Sequence, residues 1–327
     1  MRLRRAAAVA AFVTVAAVAV PGGAAARGAP DPPLREPLAK LRAAFGCQPA
    51  TAAPERQTVL LIHGGLATAG QWEHTYQPAL QRLGHPTCEV TIPDRAVIDA
   101  QRSAEYVVHA IRQAARRSGR RVAVVGHSFG GAITAMVLKV WPRLARSVDD
   151  AVGLAGVYEN GSQAIRTLCA VPCPPGAWQL AAGSDLQHAM ARRRLPRGPH
   201  FTALGTAFDE LVTPQPSAGH LEGATNLQVQ GLCPGRVVDH VSILLDSLAF
   251  AVVLDALHHR GPADPRRIGT APCARFSTYP GARPELLLEE LARAAFAVPA
   301  YAGNVALREP PVRCAWNPDC RRQPRRP

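Results

Sequence analysis

The chain alternates between short apolar runs and longer segments in which apolar residues recur at helical spacing. The apolar runs end at glycine or proline, as buried parallel strands do, and they predict strands at 58–64, 88–93, 121–128, 149–156, within 199–212, and at 226–231. Helical periodicity predicts helices at 74–83, 100–117, 130–141 and 243–257. Strands that alternate with helices predict an α/β fold with a mostly parallel central sheet and helices on both faces.

The amino-terminal residues have the pattern of an export signal. The basic start "MRLRR" is followed by an apolar run over 6–20, which Pro21 ends, and then by the small residues 24–26. This pattern predicts a signal peptide over 1–26 and a secreted, extracellular protein. The alternative is an uncleaved membrane anchor, because the alanine-rich flank lengthens the apolar stretch.

The remainder of the chain is expected to hold a single catalytic domain. A proline-rich lead at 27–45 precedes this domain, which we assign to 46–320, and a basic tail follows at 321–327. Lid-like segments are expected at about 158–198 and 283–298 within the domain. Ligands of open α/β sheets bind beyond the carboxyl ends of the strands, so the functional residues should lie there.

The formal net charge of +13 comes almost entirely from arginine, because Lys40 and Lys139 are the only lysines. The arginines are scattered along the sequence, and no aromatic residues alternate with them to form a base-stacking platform. This arrangement argues against a nucleic-acid partner and favours a solvated basic surface.

Eight cysteines fit an exported protein, although eight allow 105 pairings that sequence alone cannot distinguish. Proximity suggests a Cys169–Cys173 bridge and a Cys314–Cys320 bridge. Zinc is the alternative for these close pairs, but neither has a second thiol pair or a histidine nearby.

The stretch "VAVVGHSFGG" carries the main chemical signal. Gly126, Ser128 and Gly130 match the pattern G-x-S-x-G, with a hydrophobic strand before and an apolar helix after it. The glycines let the strand and helix backbones approach each other, and the turn between them lifts the serine hydroxyl above the sheet edge. We therefore predict that Ser128 is a nucleophile, the alternative being a structural Ser-Gly turn.

A serine nucleophile needs a base and an acid, which follow it in the order acid, histidine in this fold. Asp209 is the preferred acid, because it follows a predicted strand, and His240 is the preferred base, because it follows the last strand. Each also has the alternative of being an ordinary surface residue. The other acidic candidates are Glu210 and Asp185, and the other histidines considered are His220, His258 and His259.

An oxyanion formed at the substrate carbonyl needs two N–H donors. The backbone amide of Phe129, directly after the nucleophile, is the first predicted donor. The second is expected in the loop "HGGLATAG", with Gly65 preferred and Gly64 as the runner-up. Such a site needs no cofactor and no metal.

These residues together resemble the lipase B type of Candida antarctica and its secreted bacterial relatives, the lipase class 2 family. The resemblance runs from about Cys47 to Cys320 and includes "LLIHGG", "SAEYVVHAI", "VVGHSFGG", "FDELVTPQPSAG" and "NLQVQGLCPGRVVDHVS". It implies an α/β-hydrolase fold and supports Asp209 and His240 as the acid and the base. It further implies the disulfides Cys47–Cys88, Cys233–Cys273 and Cys314–Cys320, which leaves Cys169–Cys173 as an additional bridge.

The sequence departs from this family at two positions near the expected oxyanion hole. Gly65 stands where lipase B has a threonine whose hydroxyl adds a third oxyanion contact, so the hole of this chain should be weaker. Phe129 stands where the family has glutamine, a change that leaves the backbone donor in place.

The resemblance also assigns the walls of a substrate pocket. It likens 168–180 to a short lid and 283–298 to the helix beside the pocket mouth. The pocket residues it implies are His127, Trp178, Leu287 and Leu291, with Leu286 and Phe296 as further members of an acyl entrance. The alternative for the leucines is an ordinary core face of a helix.

We therefore expect a secreted carboxylic ester hydrolase, similar to triacylglycerol lipases, that cleaves acylglycerols or similar lipid esters through an acyl-enzyme. Its partners would be a lipid or ester substrate and an interfacial lipid surface, and the protein would be a monomer. The alternatives are an acyltransferase or polyester depolymerase with the same triad, or a catalytically inactive hydrolase fold that serves as a binding protein.

Overall fold

Seven strands, β1 to β7, form one sheet in the order β1-β3-β2-β4-β5-β6-β7 within the described part of the chain. The computed structural model describes residues 31–52, 55–275, 278–297 and 304–322. The predicted signal peptide at 1–26 and the last residues of the basic tail lie outside these ranges. The strands are Phe45–Gln48, Val59–Ile62, Thr87–Val90, Val122–His127, Val148–Leu154, His200–Gly205 and Thr225–Gln228.

All strand pairs of the sheet are parallel except the pair of β1 and β3. The sequence did not predict β1, because its four residues include a glycine and no continuous apolar run. Its position is fixed by β3, since Cys47 and Cys88 lie opposite each other in the register and form a disulfide.

The strand predicted at 226–231 ends earlier than expected. The strand β7 stops at Gln228, and the next residues form a short helix at Val229–Leu232. The apolar pattern "LQVQG" is compatible with either structure over so few residues, so periodicity alone could not place this boundary.

The helices match the predicted periodicity most closely where they are long. They are α1 Leu38–Ala43, α2 Gly70–Glu73, α3 Tyr76–Arg82, α4 Ala100–Ser118, α5 Phe129–Val140, α6 Gln163–Leu168, α7 Pro175–Leu180, α8 Asp185–Ala191, α9 Val229–Leu232, α10 Ser247–His258, α11 Pro265–Ile268 and α12 Pro284–Ala297. Local signals set the ends of α4: the Asp99 side chain accepts from the Gln101 amide at 2.9 Å, and Gly119 closes the helix at φ 65°.

Apolar side chains cover the sheet on both faces. One buried cluster contains Val107 and Ile111 of α4 with Ile133 and Val137 of α5. The other contains apolar residues of α3 and α10. The two layers of helices confirm the predicted α/β class. Among the described residues, no helix combines the length and the apolar character needed to cross a membrane.

The closest backbone approach that positions the site lies at the turn between β4 and α5. A Cβ atom added to Gly130 would lie 2.0 Å from the Ile62 carbonyl oxygen of β2, and one added to Gly126 would lie 2.3 Å from the Gly130 carbonyl oxygen. Real Cβ atoms do not approach backbone this closely, so both positions require glycine. The start of α5 can therefore pack directly against two parallel strands.

We predict that Gly130→Ala destabilises the protein by about 3 kcal/mol or more, because the methyl group must push the backbone of β2 or α5 apart. Urea unfolding followed by circular dichroism would measure this loss. Gly231→Ala is the matched control, since a methyl group there would lie 3.9 Å from the Gln228 Cβ atom. Equal unfolding midpoints for the two variants would contradict the prediction.

Candidate active site

Ser128 lies between β4 and α5 with φ 53° and ψ −118°, a conformation that non-glycine residues rarely adopt. Its amide donates to the Leu154 carbonyl oxygen of β5 at 2.8 Å, which ties the turn to the neighbouring strand. The side chain is partly exposed at the carboxyl edge of the sheet. The strained turn therefore presents the hydroxyl to the space beyond the strands, as the sequence predicted for its position.

The structure brings together the three residues of the predicted triad. The Ser128 Oγ lies 2.9 Å from the His240 Nε2, and the His240 Nδ1 lies 3.0 Å from both carboxylate oxygens of Asp209. These distances fit a chain in which the Nδ1–H donates to the carboxylate and the Nε2 accepts from the serine hydroxyl. His240 and Asp209 are both buried, so these contacts lie largely out of water.

The loop after β6 holds Asp209 through its own backbone. The Asp209 Oδ1 accepts from the amides of Leu211 at 3.0 Å and Val212 at 2.7 Å. These two bonds fix the orientation of the Asp209 carboxylate within its own turn. The adjacent Thr206 hydroxyl donates to the Val238 carbonyl oxygen at 2.6 Å, which links the acid loop to the histidine loop.

Arg236 fixes the start of the loop that carries His240. This buried guanidinium donates to the Asp246 carboxylate at 2.7 Å and to the Arg275 carbonyl oxygen at 2.8 Å. The Cys233–Cys273 disulfide joins the same two segments. Asp246 also caps α10, so the ion pair fixes the loop to the start of a core helix. The sequence analysis did not single out Arg236, because its partners lie 10 to 39 residues further along the chain.

The other candidates for acid and base lie elsewhere. The Glu210 carboxylate accepts from the His240 backbone amide at 3.1 Å and so contacts the backbone of the base rather than its ring. Asp185 is exposed at the start of α8. Half-exposed His220 lies 3.9 Å from Glu222, whereas His258 lies against His85.

His127 lies beside the triad, but its side chain is buried rather than open to a pocket. Its Nε2–H donates to the His240 carbonyl oxygen at 2.9 Å. Burial, and secondarily the nearby His240, lowers the pKa of His127 to about 3. The ring is therefore neutral at ordinary pH and supports the backbone of the base without adding a charge next to it.

The predicted oxyanion loop follows β2 and lies directly against Ser128. A Cβ atom on Gly64 would lie 3.3 Å from the Ser128 Cβ, whereas one on Gly65 would meet nothing within 4 Å. The Gly64 amide donates to the Gln71 Oε1 at 3.3 Å. The Gly65 amide has no acceptor among the described residues, so Gly65 suits the donor role better than Gly64 does.

His63 fixes the orientation of this loop, a role that the sequence analysis missed. Its Nε2 accepts from the Ile92 amide at 3.0 Å, so its Nδ1–H donates to the Gly64 carbonyl oxygen at 2.8 Å. The C=O of Gly64 and the N–H of Gly65 belong to one planar trans peptide and point in opposite directions. By holding the carbonyl, His63 therefore directs the Gly65 amide. The pair His63-Gly64, directly after a predicted strand, was the sequence signal that could have pointed to this role.

Arg95 and Glu290 hold the other end of the same loop. The Leu66 amide donates to the Arg95 carbonyl oxygen at 2.8 Å, and the Arg95 Nη1 donates back to the Leu66 carbonyl oxygen at 3.2 Å. The Glu290 carboxylate of α12 accepts from Arg95 at 3.2 Å and from the Thr68 hydroxyl at 2.8 Å. The helix at the predicted pocket mouth is thereby connected to the oxyanion loop.

The predicted pocket residues of α12 and the lid are placed differently from expectation. Leu287 is 1% exposed and belongs to the core cluster that also contains Trp72, so the core alternative applies to it. Leu291 packs partly buried against that cluster. The exposed leucine of α12 is Leu288, at 64%. The side chain of Phe296 lies outside the described residues.

Trp178 connects the lid-like segment to the carboxyl-terminal part of the chain. Its Nε1–H donates to the Ala306 carbonyl oxygen at 2.9 Å, and the backbones of Cys173 and Ala306 also pair. The structure contains the disulfides Cys47–Cys88, Cys169–Cys173, Cys233–Cys273 and Cys314–Cys320. The lid-like segment is therefore closed on itself and attached at Ala306.

A parallel sheet between two helix layers, with a serine on a glycine-flanked strand–helix turn, defines the class of this protein. The model of the alpha/beta hydrolase family matches residues 59–239, which is more than half of the chain. The chain belongs to this family.

Relatives refine this placement. The chain is 29% identical over 286 residues to lipase B of Pseudozyma antarctica, an alignment that covers 84% of this chain and 82% of that protein. The crystal structure of Aspergillus fumigatus lipase B matches with a TM-score of 0.76 at 26% identity, covering 88% of this chain and 74% of that one. Both results confirm the resemblance to the lipase B type.

A more distant structure supports the fold alone. The mature form of the lipase BlEst2 of Bacillus licheniformis matches with a TM-score of 0.53 at 17% identity, covering 65% of this chain and 97% of that one.

We predict that His63→Ala lowers kcat for a soluble p-nitrophenyl ester by about 10- to 100-fold, somewhat less than loss of an oxyanion donor. KM should change little, because the substrate binds before the oxyanion forms. His63→Asn should recover part of kcat, since its amide nitrogen can replace the Nδ1 donor. A His63→Ala enzyme with the wild-type kcat would show that the loop is positioned without this side chain.

The two buried histidines also predict how stability depends on pH. Burial is the largest cause that lowers the pKa of His63, to about 4, and that of His127, to about 3, from the ordinary value of 6.5. Below pH 6.5 the unfolded chain binds protons that the folded protein excludes. The free energy of unfolding should therefore fall as the pH decreases from 6.5 towards 4 for His63, and towards 3 for His127.

Urea unfolding of wild type and His63→Asn from pH 4 to pH 8 would measure this contribution. The asparagine variant should lose less stability than wild type over the acidic half of the range. His220→Asn, a change at an exposed histidine, is the control and should leave the slope unchanged. A wild-type slope in His63→Asn would contradict the assignment.

Proposed function

We propose that the protein is a secreted carboxylic ester hydrolase that cleaves lipid esters with Ser128 as nucleophile, His240 as base and Asp209 as the acid that orients the base. One observation carries the proposal: the Ser128 Oγ lies 2.9 Å from the His240 Nε2, whose opposite nitrogen lies 3.0 Å from the buried Asp209 carboxylate. The lipase B relatives support the same chemical class.

The reaction follows from these contacts. His240 takes the hydroxyl proton as the Ser128 Oγ attacks the ester carbonyl, and the resulting oxyanion accepts from the amides of Phe129 and Gly65. The protonated imidazole then gives its proton to the departing alcohol, which leaves an acyl-enzyme. Water, deprotonated by the same imidazole, attacks the acyl group; the imidazole then returns this proton to the Ser128 Oγ as the carboxylic acid leaves. No cofactor takes part in this sequence.

The distribution of exposed apolar side chains favours a lipid substrate. Eleven large apolar residues are exposed in the described part of the chain, and nine of them lie on loops beyond the carboxyl edge of the sheet or on segments packed there. A concentration of exposed apolar surface on one side marks a contact with lipid or another apolar partner. The nine are Leu66, Leu168, Val171, Phe208, Leu211, Val237, Leu288, Val305 and Leu307.

Secretion is supported by two independent features. The amino-terminal sequence has the charge and apolar pattern of a signal peptide. All eight cysteines of the chain are joined in four disulfides, which form and persist in oxidising compartments. The single catalytic domain and its monomeric state are part of the same proposal.

We predict that Ser128→Ala reduces hydrolysis of p-nitrophenyl esters from C2 to C16 by at least about 10³-fold while leaving the fold intact. Wild type should also form a covalent adduct with a labelled fluorophosphonate at Ser128. Kinetic assays, mass spectrometry of the adduct and circular dichroism would measure these three properties.

The exposed Ser217 provides the matched control, because Ser217→Ala removes a hydroxyl outside the triad and should retain wild-type rates. Wild-type turnover in Ser128→Ala would remove Ser128 from its role. A wild-type protein that neither turns over esters nor forms the adduct would favour a binding protein with an inactive hydrolase fold. Transfer of the acyl group to added alcohol in preference to water would favour an acyltransferase.

A further inference from the structure

Five of the arginines that are scattered in the sequence meet in one open cleft of about 460 Å³. The cleft is formed by the end of α4, the residues before β4 and the residues before β5. Its lining contains five arginines together with Ala115, Gly119 and Ser147; the arginines are Arg112, Arg116, Arg120, Arg121 and Arg146. Neither the fold nor the proposed hydrolysis requires so many cations at one place.

Carboxylates in and around the cleft balance only part of this charge. Asp31 lies 3.6 Å from Arg112, and Asp149 lies 3.0 Å from Arg121. No other ion pair joins a cleft arginine to a carboxylate among the described residues, so Arg116 and Arg146 have no such partner. The carboxyl end of α4 adds a partial charge of about −0.5. A net positive charge therefore remains in the cleft.

Burial and neighbouring arginines both act on the titratable groups near the cleft. Burial is the largest cause that lowers the pKa of Arg112; the attraction of Asp31 opposes it, and repulsion from Arg116 adds to it. The pKa of His109 is also lowered, first by burial and then by Arg116, Arg42 and Arg112. Arg117 does not share this environment, because its guanidinium stacks on the Phe45 ring, 5.0 Å from the centroid. An anion in the cleft would relieve the repulsion.

We propose that this cleft binds phosphate-type oxyanions, either a soluble polyphosphate-like anion or the phosphate groups of an anionic lipid surface. Guanidinium groups suit this ligand because their planar N–H donors match the oxygens of phosphate. Arg116 and Arg146 are exposed, and neither forms an ion pair with a carboxylate of the residues that the structure describes. Ser147 contributes a hydroxyl at the same rim.

The position of the cleft separates this binding from catalysis. Arg121 directly precedes β4, and Ser128 directly follows it, so the cleft and the nucleophile lie at opposite ends of the same strand. Six residues of extended chain separate them by roughly 20 Å. If the cleft bound a phosphate-rich surface, the active site would therefore face away from that surface.

The test uses the full-length folded chain and inorganic tripolyphosphate as the probe, with binding measured by isothermal titration calorimetry at low and at high salt. Wild type should bind one equivalent, and binding should weaken as salt screens the charges. Arg116→Ala combined with Arg146→Ala should raise Kd about five- to thirtyfold. Arg194→Ala combined with Arg260→Ala removes the same charge from exposed sites outside the cleft and should leave Kd nearly unchanged.

A second arm distinguishes the two sources of phosphate. Vesicles of phosphatidylcholine with and without phosphatidylglycerol are sedimented with each variant. Cleft-dependent binding to the anionic vesicles that tripolyphosphate competes away would identify a lipid surface, whereas binding of tripolyphosphate without vesicle binding would identify a soluble anion. Either result supports a phosphate-binding site in the cleft.

Absence of tripolyphosphate binding, or an equal loss in both double variants, would overturn the proposal in favour of diffuse surface charge. The result does not depend on the proposed hydrolysis: Ser128→Ala should bind the probe normally, and the cleft variant should hydrolyse soluble esters at the wild-type rate.

Discussion

The site depends on the close approach of three backbones where β4 turns into α5. Gly130 sits against the Ile62 carbonyl oxygen of β2, and Gly126 sits against Gly130, at distances that exclude any side chain. This crossing forces the residue between them into φ 53°, a strain of order 1–3 kcal/mol that the surrounding sheet must outweigh. The result is a hydroxyl held at a fixed height above the sheet edge. The same approach places the loop after β2, with its free Gly65 amide, beside that hydroxyl.

Asp209 and His240 lie far from Ser128 in the sequence, and different contacts hold each of them in place. Asp209 is held locally, by amides of its own turn, whereas His240 is held at a distance through Arg236 and Asp246 and through the His127 contact to its carbonyl. Breaking a buried ion pair such as Arg236–Asp246 commonly costs about 3–5 kcal/mol. The histidine loop is therefore the part of the site that most depends on long-range contacts, and its disulfide to Cys273 reinforces the same connection.

What the sequence could predict follows the same division between local and long-range contacts. The strand–helix turn at Ser128, its glycines and the long helices could be predicted, because each depends on a contiguous pattern such as G-x-S-x-G or the apolar face of α4. The short strand β1 carries no such pattern, and its position is set by pairing with β3. Leu287 was assigned to the pocket instead of the core, because an apolar helix face does not reveal what packs against it. His63 contacts the Gly64 carbonyl oxygen and the Ile92 amide, and Arg236 contacts the Asp246 carboxylate and the Arg275 carbonyl oxygen. Residue spacing alone does not predict these contacts.

The surface at the carboxyl ends of the strands is apolar and the one at the amino end of β4 is basic. Strand β4 runs from one to the other. Its carboxyl end leads to Ser128 among loops that expose most of the large apolar side chains, and its amino end begins at Arg121 in a cleft of five arginines. Apolar surface favours contact with acyl chains, whereas the guanidinium cleft favours phosphate, so the two edges do not compete for one ligand. Net charge acts over the whole molecule, but only the fold decides where it concentrates. An excess of arginine that looks uniform along the chain thus includes a group of five at the end of β4 opposite Ser128.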